Sequence, residues 1–242
     1  MKILVIGDSC KDIFRYGSID RLAPEAPVPV IKPMYEKENP GMADNVRVNL
    51  EALGAEVDIL TNEVNIRKIR YVDERYNQMV LRVDENDSCE RYKGPYETVG
   101  YDIIVISDYN KGFLTEDDIA AFAERSECPV FLDTKKFLGD WCKDIDFIKI
   151  NNSEHEKNFE LLPEYPTLHE KLIVTKGKHG CNYNGKLYPT TDVPVKDVSG
   201  AGDTFLAGLV YEYAKSGDII SAINFAQDCT TIVVQKEGVA TV

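Results

Sequence analysis

The chain has 242 residues, of which 43% are hydrophobic and 29% charged, so one substantial core and a single domain over residues 1–242 are expected. A formal net charge of −13 argues against nucleic acid and membranes as partners. Six cysteines without a CxxC pair argue against a zinc site, and we expect reduced, mostly buried thiols in a cytoplasmic protein. The apolar opening run is too short for a signal peptide or a membrane span.

Short strand-like runs alternate with helical runs along the chain. Strands are predicted at 2–8, 57–62, 102–108, 129–133, 146–151 and 171–177, with an extended segment at 27–33. Helices are predicted at 43–53, 115–125, 203–215 and 219–235, and Asn184–Gly185 gives a hairpin signal. This alternation predicts an α/β fold with a mostly parallel central sheet covered on both faces.

Residues 68–83 do not fit the alternation. The run KIRYVDERYNQMVLRV predicts two strands joined around Asp73–Glu74. Such a pair is expected to form a small β lid outside the main sheet, and the charged stretch 84–97 that follows is expected to be a solvated loop.

The stretch DVSGAGDTF, residues 197–205, carries the clearest chemical signal. Gly200, Ala201 and Gly202 allow close approach to the backbone, and their N–H groups at a helix start would form an anion site. A carboxylate beside such a site repels phosphate, so Asp203 needs another use, and a general base for an attacking hydroxyl fits. The alternative is an ordinary turn followed by a helix with an acidic first turn.

This stretch resembles the C-terminal signature of the ribokinase-like (PfkB) carbohydrate kinases. The segments GDSCKDIFRYG, RLAPEAPVPVIKP, VISDYNKGFL, LDTKKF and NNSEHE resemble, in the same order, the kinase domain of the bifunctional heptose kinase/ADP-heptose synthase family. The resemblance implies a ribokinase-like three-layer fold with a small β lid. It also implies transfer of the γ-phosphate of ATP to the anomeric hydroxyl of a heptose 7-phosphate, giving the 1,7-bisphosphate for polysaccharide precursor synthesis.

The resemblance also assigns roles to residues. Asp203 would take the proton from the sugar hydroxyl, and residues 200–202 would hold the transferring phosphoryl group. The implied substrate-binding residues are Asp8, Asp12, Asn45, Lys68, Arg70 and Arg82. Alternatives stay open for several of them: Asp8 as a turn residue, Asn45 as a helix cap, and the lid cations as a solvated face with Arg82 paired to Asp84.

The nucleotide side is implied by the later motifs. The residues assigned to it are Lys135, Asn151, Glu154, Thr175, Gly177 and Gly180. Glu154 would support a Mg²⁺ ion through water, because magnesium keeps several waters and needs few direct protein ligands. A surface ion pair is the alternative for Lys135. Relatives often pair their lid strands across a dimer, so a homodimer is expected.

Three departures from the family pattern bear on the substrate. Met42 stands where relatives have a glycine, the chain passes almost directly from residue 62 to Lys68, and Gln227 and Asp228 replace the usual residues of the last helix. Two alternatives therefore remain beside the heptose kinase. One is a kinase of the same fold for another small sugar or sugar phosphate, and the other is a sugar- or nucleotide-binding regulator without turnover.

Overall fold

A computed structural model describes residues 1–236 and 238–242 and contains two β-sheets. The strands, in chain order, are β1 Lys2–Gly7, β2 Ser9–Leu22, β3 Pro29–Met42, β4 Glu56–Thr61, β5 Ile66–Asp73, β6 Gln78–Glu85, β7 Ile103–Asp108, β8 Val130–Thr134, β9 Phe147–Asn151, β10 Leu172–Thr175, β11 Cys181–Tyr183 and β12 Lys186–Tyr188. The helices are α1 Ala43–Ala52, α2 Glu116–Glu124, α3 Asn152–Asn158, α4 Ala201–Ser216 and α5 Ile219–Val233.

The main sheet has eight strands in the order β12-β11-β10-β9-β8-β7-β1-β4. The six strands from β10 to β4 are parallel, and the hairpin of β11 and β12 adds two antiparallel strands at one edge. All six strands predicted for this sheet are confirmed, as is the hairpin turn, where Asn184 and Gly185 both have positive φ angles.

Alternate residues of the central strands enter two different cores. Leu4 and Ile104 pack in a cluster with Phe122 of α2, whereas Val5 and Val105 pack in a second cluster with Leu206 of α4. Because successive side chains of a strand point to opposite faces, these clusters lie on the two sides of the sheet. The result is the expected three-layer arrangement.

Four strands form the lid sheet, in the order β3-β2-β5-β6. The predicted strand pair is present, with a turn at residues 74–77, but the lid also contains the two 14-residue strands β2 and β3. The sequence analysis missed β2 and placed only a short extended segment in β3. Both strands carry polar and charged residues, and mutual backbone pairing holds them together over most of their length.

The segment 84–97 is for the most part the expected solvated loop, since residues 86–97 form no helix or strand and none of them is buried. Its first two residues belong to β6, and Tyr92 and Tyr96 pack against the core around Phe122. Arg91 donates two hydrogen bonds, of 2.7 and 2.8 Å, to the buried carboxylate of Asp118. The segment is solvated, as its charged residues predict, and these aromatic and ionic contacts also hold it against α2.

Helix α2 begins as its sequence predicts. Thr115 is the N-cap, and its side chain and that of Asp118 form a reciprocal capping box. All six cysteines are unpaired, and four of them are buried, as expected. In the part of the chain that the structure describes, no helix is long and apolar enough to cross a membrane.

Candidate active site

The carboxyl ends of the parallel strands bring the predicted site residues to one edge of the main sheet. Asp8 follows β1, Lys135 follows β8, and Asn151 and Thr175 end β9 and β10. The lid begins at Ser9, directly after Asp8, so the lid sheet is connected to this same edge. In open α/β sheets, ligands bind in the crevice outside this edge.

Asp203 lies in the first turn of α4 and is only 4% exposed. Asn45 Nδ2 donates to one carboxylate oxygen at 2.9 Å, and the Tyr109 hydroxyl donates to the other at 2.6 Å. Burial raises the pKa of Asp203, and the hydrogen bonds from Asn45 and Tyr109 lower it in part, so its pKa stays above the usual value. The geometry therefore offers an oriented carboxylate of increased basicity.

Gly200 is the N-cap of α4 and has a φ of 77°, in the left-handed region. A Cβ on Gly200 would lie 2.6 Å from Asn45 Nδ2, which shows how closely the glycine turn packs against the residue that holds Asp203. Gly200, Gly202 and Asp203 line one cavity, together with Lys135 and Lys149. The first turn of a helix has unpaired N–H groups and the positive end of the helix dipole, so the start of α4 makes this cavity suited to an anion.

The two aspartates near the start of the chain are arranged differently. Asp8 is fully buried, and its carboxylate accepts hydrogen bonds from the backbone N–H groups of Tyr109, Lys111 and Phe113. These bonds fix the 109–113 loop, so the structure favours the structural alternative for Asp8 over a sugar contact. Asp12 lies on β2 and forms an ion pair with Arg70.

The lid cations Lys68, Arg70 and Arg82 lie on one face of the lid sheet, because the register between β5 and β6 allows it. Arg70 is directly opposite Arg82, and Lys68 is two residues before Arg70 on β5. Arg82 donates two 2.7 Å hydrogen bonds to Asp84, which is the alternative that the sequence left open. Lys68 is buried and lies 5.1 Å from the centre of the Tyr109 ring.

On the nucleotide side, Asn151 and Glu154 form the capping box of α3, a helix that the sequence analysis missed. One Glu154 oxygen accepts the Asn151 N–H, and the other forms a 2.5 Å ion pair with Lys135. Burial lowers the pKa of Lys135, but Asp133 and Glu154 outweigh it and keep the ammonium charged. Within residues 1–236 and 238–242, no cluster of three acidic, histidine or cysteine side chains could hold a metal.

A second cavity, of about 260 Å³, adjoins the first. Both are lined by Thr175, Gly177 and Gly202, and the second is also lined by Gly180 and Gln227. Its other walls are mainly Val and Thr side chains of the 190–198 segment and α5. An apolar slot that opens onto an anion cavity suits a nucleotide base and its phosphates.

Sequence reasoning missed two residues of the site. Tyr109 lies within the VISDYNKGFL segment, but only the structure shows that its hydroxyl donates to Asp203 and that Lys68 and Lys135 lie 5.1 and 5.0 Å from the centre of its ring. Lys149 lies inside the apolar strand β9 and is 3% exposed. A lysine in a buried strand was the available signal, because such a lysine needs a partner.

The fold and this site define a ribokinase-like carbohydrate kinase. The chain belongs to the pfkB family of carbohydrate kinases, whose family model matches residues 107–242. The expected phosphotransferase class is therefore confirmed at the level of the family.

Similar proteins agree with this assignment. The bifunctional protein HldE of a Nitratiruptor species is 32% identical over 294 aligned positions, which cover 99% of this chain and 63% of that protein. The HldE of Methylococcus capsulatus is 30% identical, and the alignment covers all of this chain and 62% of that protein. The chain thus spans about three fifths of the length of these relatives.

Comparison with solved structures supports the fold and nothing finer. The ribokinase of Thermotoga maritima superposes with a TM-score of 0.70 at 18% identity, covering 98% of this chain and 94% of that one. The nucleoside kinase of Methanocaldococcus jannaschii gives a TM-score of 0.72 at 18% identity, with coverages of 98% and 93%. The ribokinase-like fold expected from the sequence is confirmed.

Proposed function

We propose that this chain is an ATP-dependent kinase that phosphorylates the anomeric hydroxyl of a heptose 7-phosphate to give the 1,7-bisphosphate. The observation that carries the proposal is the Asp203 carboxylate, buried beside the glycine turn and oriented by Asn45 and Tyr109. The HldE relatives and the lid cations support the sugar phosphate as acceptor.

In the proposed reaction, Asp203 removes the proton of the sugar hydroxyl. The sugar oxygen then forms a bond to the γ-phosphorus, and the bond from that phosphorus to the bridging oxygen of ADP breaks. A carboxylate oxygen has two lone pairs, so Asp203 can keep the Tyr109 bond and still accept the substrate proton. Gly200 and Gly202 would hold the phosphoryl oxygens with backbone N–H groups, whereas the N–H of Ala201, which the sequence also assigned to this role, already donates to the Val198 carbonyl at 3.2 Å.

For the substrate, we propose that Arg70 and Arg82 bind the 7-phosphate and that Asp12 and Asn45 contact the sugar. Arg70 and Arg82 are paired with acids, so the phosphate would have to compete with Asp12 and Asp84 for the guanidinium groups. Arginine binds phosphate through two parallel hydrogen bonds, which favours that exchange.

For the donor, we propose ATP, with its base in the Gln227 cavity and its phosphates near Lys135, Asn151, Thr175, Gly177 and Gly180. A Mg²⁺ ion would enter with the phosphates, neutralise part of their charge, and contact Glu154 through water. Both Glu154 oxygens already have protein partners, which suits an indirect contact. Use of ATP leads us to propose a cytoplasmic location.

A second candidate is a kinase for a small unphosphorylated sugar. The observation in its favour is the pairing of Arg70 with Asp12 and of Arg82 with Asp84, which neutralises two of the three lid cations. Met42 also departs from the family glycine, and it adopts a φ of 61° with its side chain buried beside Cys10 and Ile66. A changed sugar pocket would fit this candidate.

One assay separates the candidates. The protein is given ATP, Mg²⁺ and a panel of sugars and sugar phosphates, and ADP release and the position of the new phosphate are measured. Product from heptose 7-phosphate alone supports the proposal, and turnover on another sugar selects the second candidate. Binding of ATP and sugar without ADP release would contradict both and indicate a binding regulator.

A further inference from the structure

Lys149 is a buried cation beside the glycine turn. Its side chain lines the same cavity as Gly200, Gly202 and Asp203. Its Nζ lies 3.1 Å from the point where a Cβ of Gly202 would be, so little separates the ammonium from the N-terminal turn of α4.

Among the residues that the structure describes, Lys149 donates to Asp133 alone, at 2.5 Å. Asp133 is 2% exposed, so the two charges form a buried pair in neighbouring strands of the sheet. An ammonium group has three donors. Two donors of Lys149 therefore remain for a ligand that enters the cavity.

A buried ion pair is weak support for stability, because desolvation offsets most of the attraction. Two apolar side chains at these sheet positions would serve the core at least as well. The pair does change the cavity, however. Without Lys149, the cavity would keep the Asp203 carboxylate and lose a cation that lines the same wall as Gly202.

We infer that Lys149 binds the phosphoryl group during its transfer, an inference that rests on the proposed function. The ammonium stays protonated and donates to the non-bridging phosphoryl oxygens as the bond to ADP breaks and the bond to the sugar oxygen forms. Asp203 takes the sugar proton, so Lys149 adds positive charge where the transition state needs it and transfers no proton.

The test uses variants that separate this role from partnership with Asp133. Lys149→Met alone leaves the buried Asp133 with only its 3.5 Å contact to Lys135, so it is expected to lower both melting temperature and turnover. The double variant D133N/K149M removes both charges. It should regain a melting temperature close to that of the wild type while kcat stays roughly 100-fold low, the size of effect of removing one such donor.

Asp133→Asn alone keeps the cation and should retain kcat within about tenfold, well short of the loss of an oxyanion donor. Lys143→Met is the matched control, because Lys143 is an exposed lysine beside Asp144 that lines neither cavity, and this variant should keep wild-type turnover. Full turnover of D133N/K149M would show that Lys149 only neutralises Asp133 and would overturn the inference. If the double variant does not fold, Asp133→Asn decides the question. A 100-fold loss of kcat in Asp133→Asn, which keeps Lys149, would overturn the inference, because Lys149 would then act only as the structural partner of Asp133.

Turnover of the wild-type protein in the acceptor assay shows whether a failure belongs to this inference or to the proposed function. If the wild type turns over a sugar other than heptose 7-phosphate, the acceptor is wrong, but the variants still test Lys149 on that sugar. If the wild type has no turnover, the proposed function fails. Binding of ADP with aluminium fluoride, a phosphoryl mimic, then tests Lys149: a tighter complex in the wild type than in D133N/K149M supports the contact, and equal affinities contradict it.

Discussion

Asp203 has contacts that suit the proposed general base, because both of its carboxylate oxygens accept side-chain hydrogen bonds that orient them. Its oxygens take side-chain donors from α1 and from the loop after β7, so three separate parts of the chain converge on one carboxylate. We predict that Asp203→Asn lowers kcat by about 10²–10⁴-fold, because the amide cannot accept the sugar proton. ADP binding, measured by calorimetry, should change little.

Asp117→Asn is the control for this substitution, since Asp117 also lies in a first helical turn but is exposed on α2. It should leave turnover unchanged. Near-normal turnover of the Asp203 variant would remove this carboxylate from the mechanism.

Tyr109 controls the basicity of Asp203. Its hydrogen bond favours the charged form of Asp203 and so lowers the pKa that burial raises. A base works only when deprotonated, so kcat/KM falls as the pH drops through this pKa. Tyr109→Phe removes the donor, raises the pKa further, and should move the acid limb of the pH profile to higher pH.

The control for this pH profile is Tyr101→Phe, which removes a hydroxyl that donates to the exposed Asp58 of β4. That variant should keep the wild-type profile. An acid limb that stays in place or moves to lower pH in Tyr109→Phe would contradict the role of the hydroxyl.

Gly200 is constrained by its left-handed backbone and by its close contact with Asn45, and a matched control can separate these two effects. Gly200→Ala would place a Cβ in a left-handed backbone, at a cost of about 1–2 kcal/mol, and would also displace the Asn45 amide. Gly217→Ala carries the same backbone cost at a φ of 67°, but its Cβ would meet nothing within 4 Å. Both variants should melt at lower temperature, and only Gly200→Ala should lose turnover, by about tenfold or more, as Asp203 loses its orientation.

At the scale of elements, the lid sheet places Arg70 and Arg15 on opposite faces, each beside an acidic side chain. Arg70 faces the same side as Asp12 and Lys68, whereas Arg15 of β2 lies on the other face with Glu36 and Tyr71. We predict that Arg70→Glu raises KM much more for a sugar phosphate than for the free sugar, because the new carboxylate repels phosphate. Steady-state kinetics on both acceptors checks this.

Arg15→Glu reverses a charge in the same sheet and should leave both KM values nearly unchanged. Equal effects of Arg70→Glu on the two acceptors would show that the lid does not bind the phosphate.

The elements also show what local pattern can and cannot predict. Parallel strands such as β7 are continuous apolar runs with turn residues at their ends, so their sequence alone locates them. Strand β2 mixes charges, glycine and apolar residues, and its strand structure comes from pairing with β3 and β5, which are distant in the chain. Periodicity within one segment does not contain that information.

The same distinction applies to the site. The glycine turn and helix start at residues 200–203 follow from residue types, so they were accessible from the sequence, and their use as an anion site stays a prediction. The Tyr109–Asp203 bond joins residues 94 positions apart, and the Lys149–Asp133 pair depends on the register between β8 and β9. Only the folded arrangement of the sheet reveals such contacts.

For the whole molecule, the acidic surface and the cationic cavity work in opposite directions. A net charge of −13 repels anionic substrates at long range. Lys135, Lys149 and Lys176 all line the cavity beside Asp203, where their short distance to a bound phosphate makes their charge count for more than that of distant surface acids. This local geometry would allow an acidic protein to bind the two phosphorylated substrates of the proposed reaction.

The lid offers a surface for a second copy of the chain. Strands β3 and β6 are the two edges of the lid sheet, and both expose apolar side chains: Met34 on β3, and Met79, Val80 and Leu81 on β6. Unpaired strand edges with exposed apolar residues favour association between chains. We propose a homodimer that uses the edge formed by β6, which exposes three of these apolar side chains. We predict that light scattering during size-exclusion chromatography gives twice the mass of one chain.

Leu81→Glu should shift that mass to the monomer, because it places a charge on the lid edge that a partner would cover. Leu187→Glu is the matched control, since Leu187 is a similarly exposed leucine on β12, the edge of the main sheet. It should leave the dimer intact. A wild-type protein that elutes as a monomer at all concentrations, or a dimer that tolerates Leu81→Glu, would exclude this lid edge as the interface. Because Arg70 and Arg82 lie in the same sheet, a monomeric Leu81 variant would also reveal, through its KM for the sugar phosphate, whether pairing of two lids supports acceptor binding.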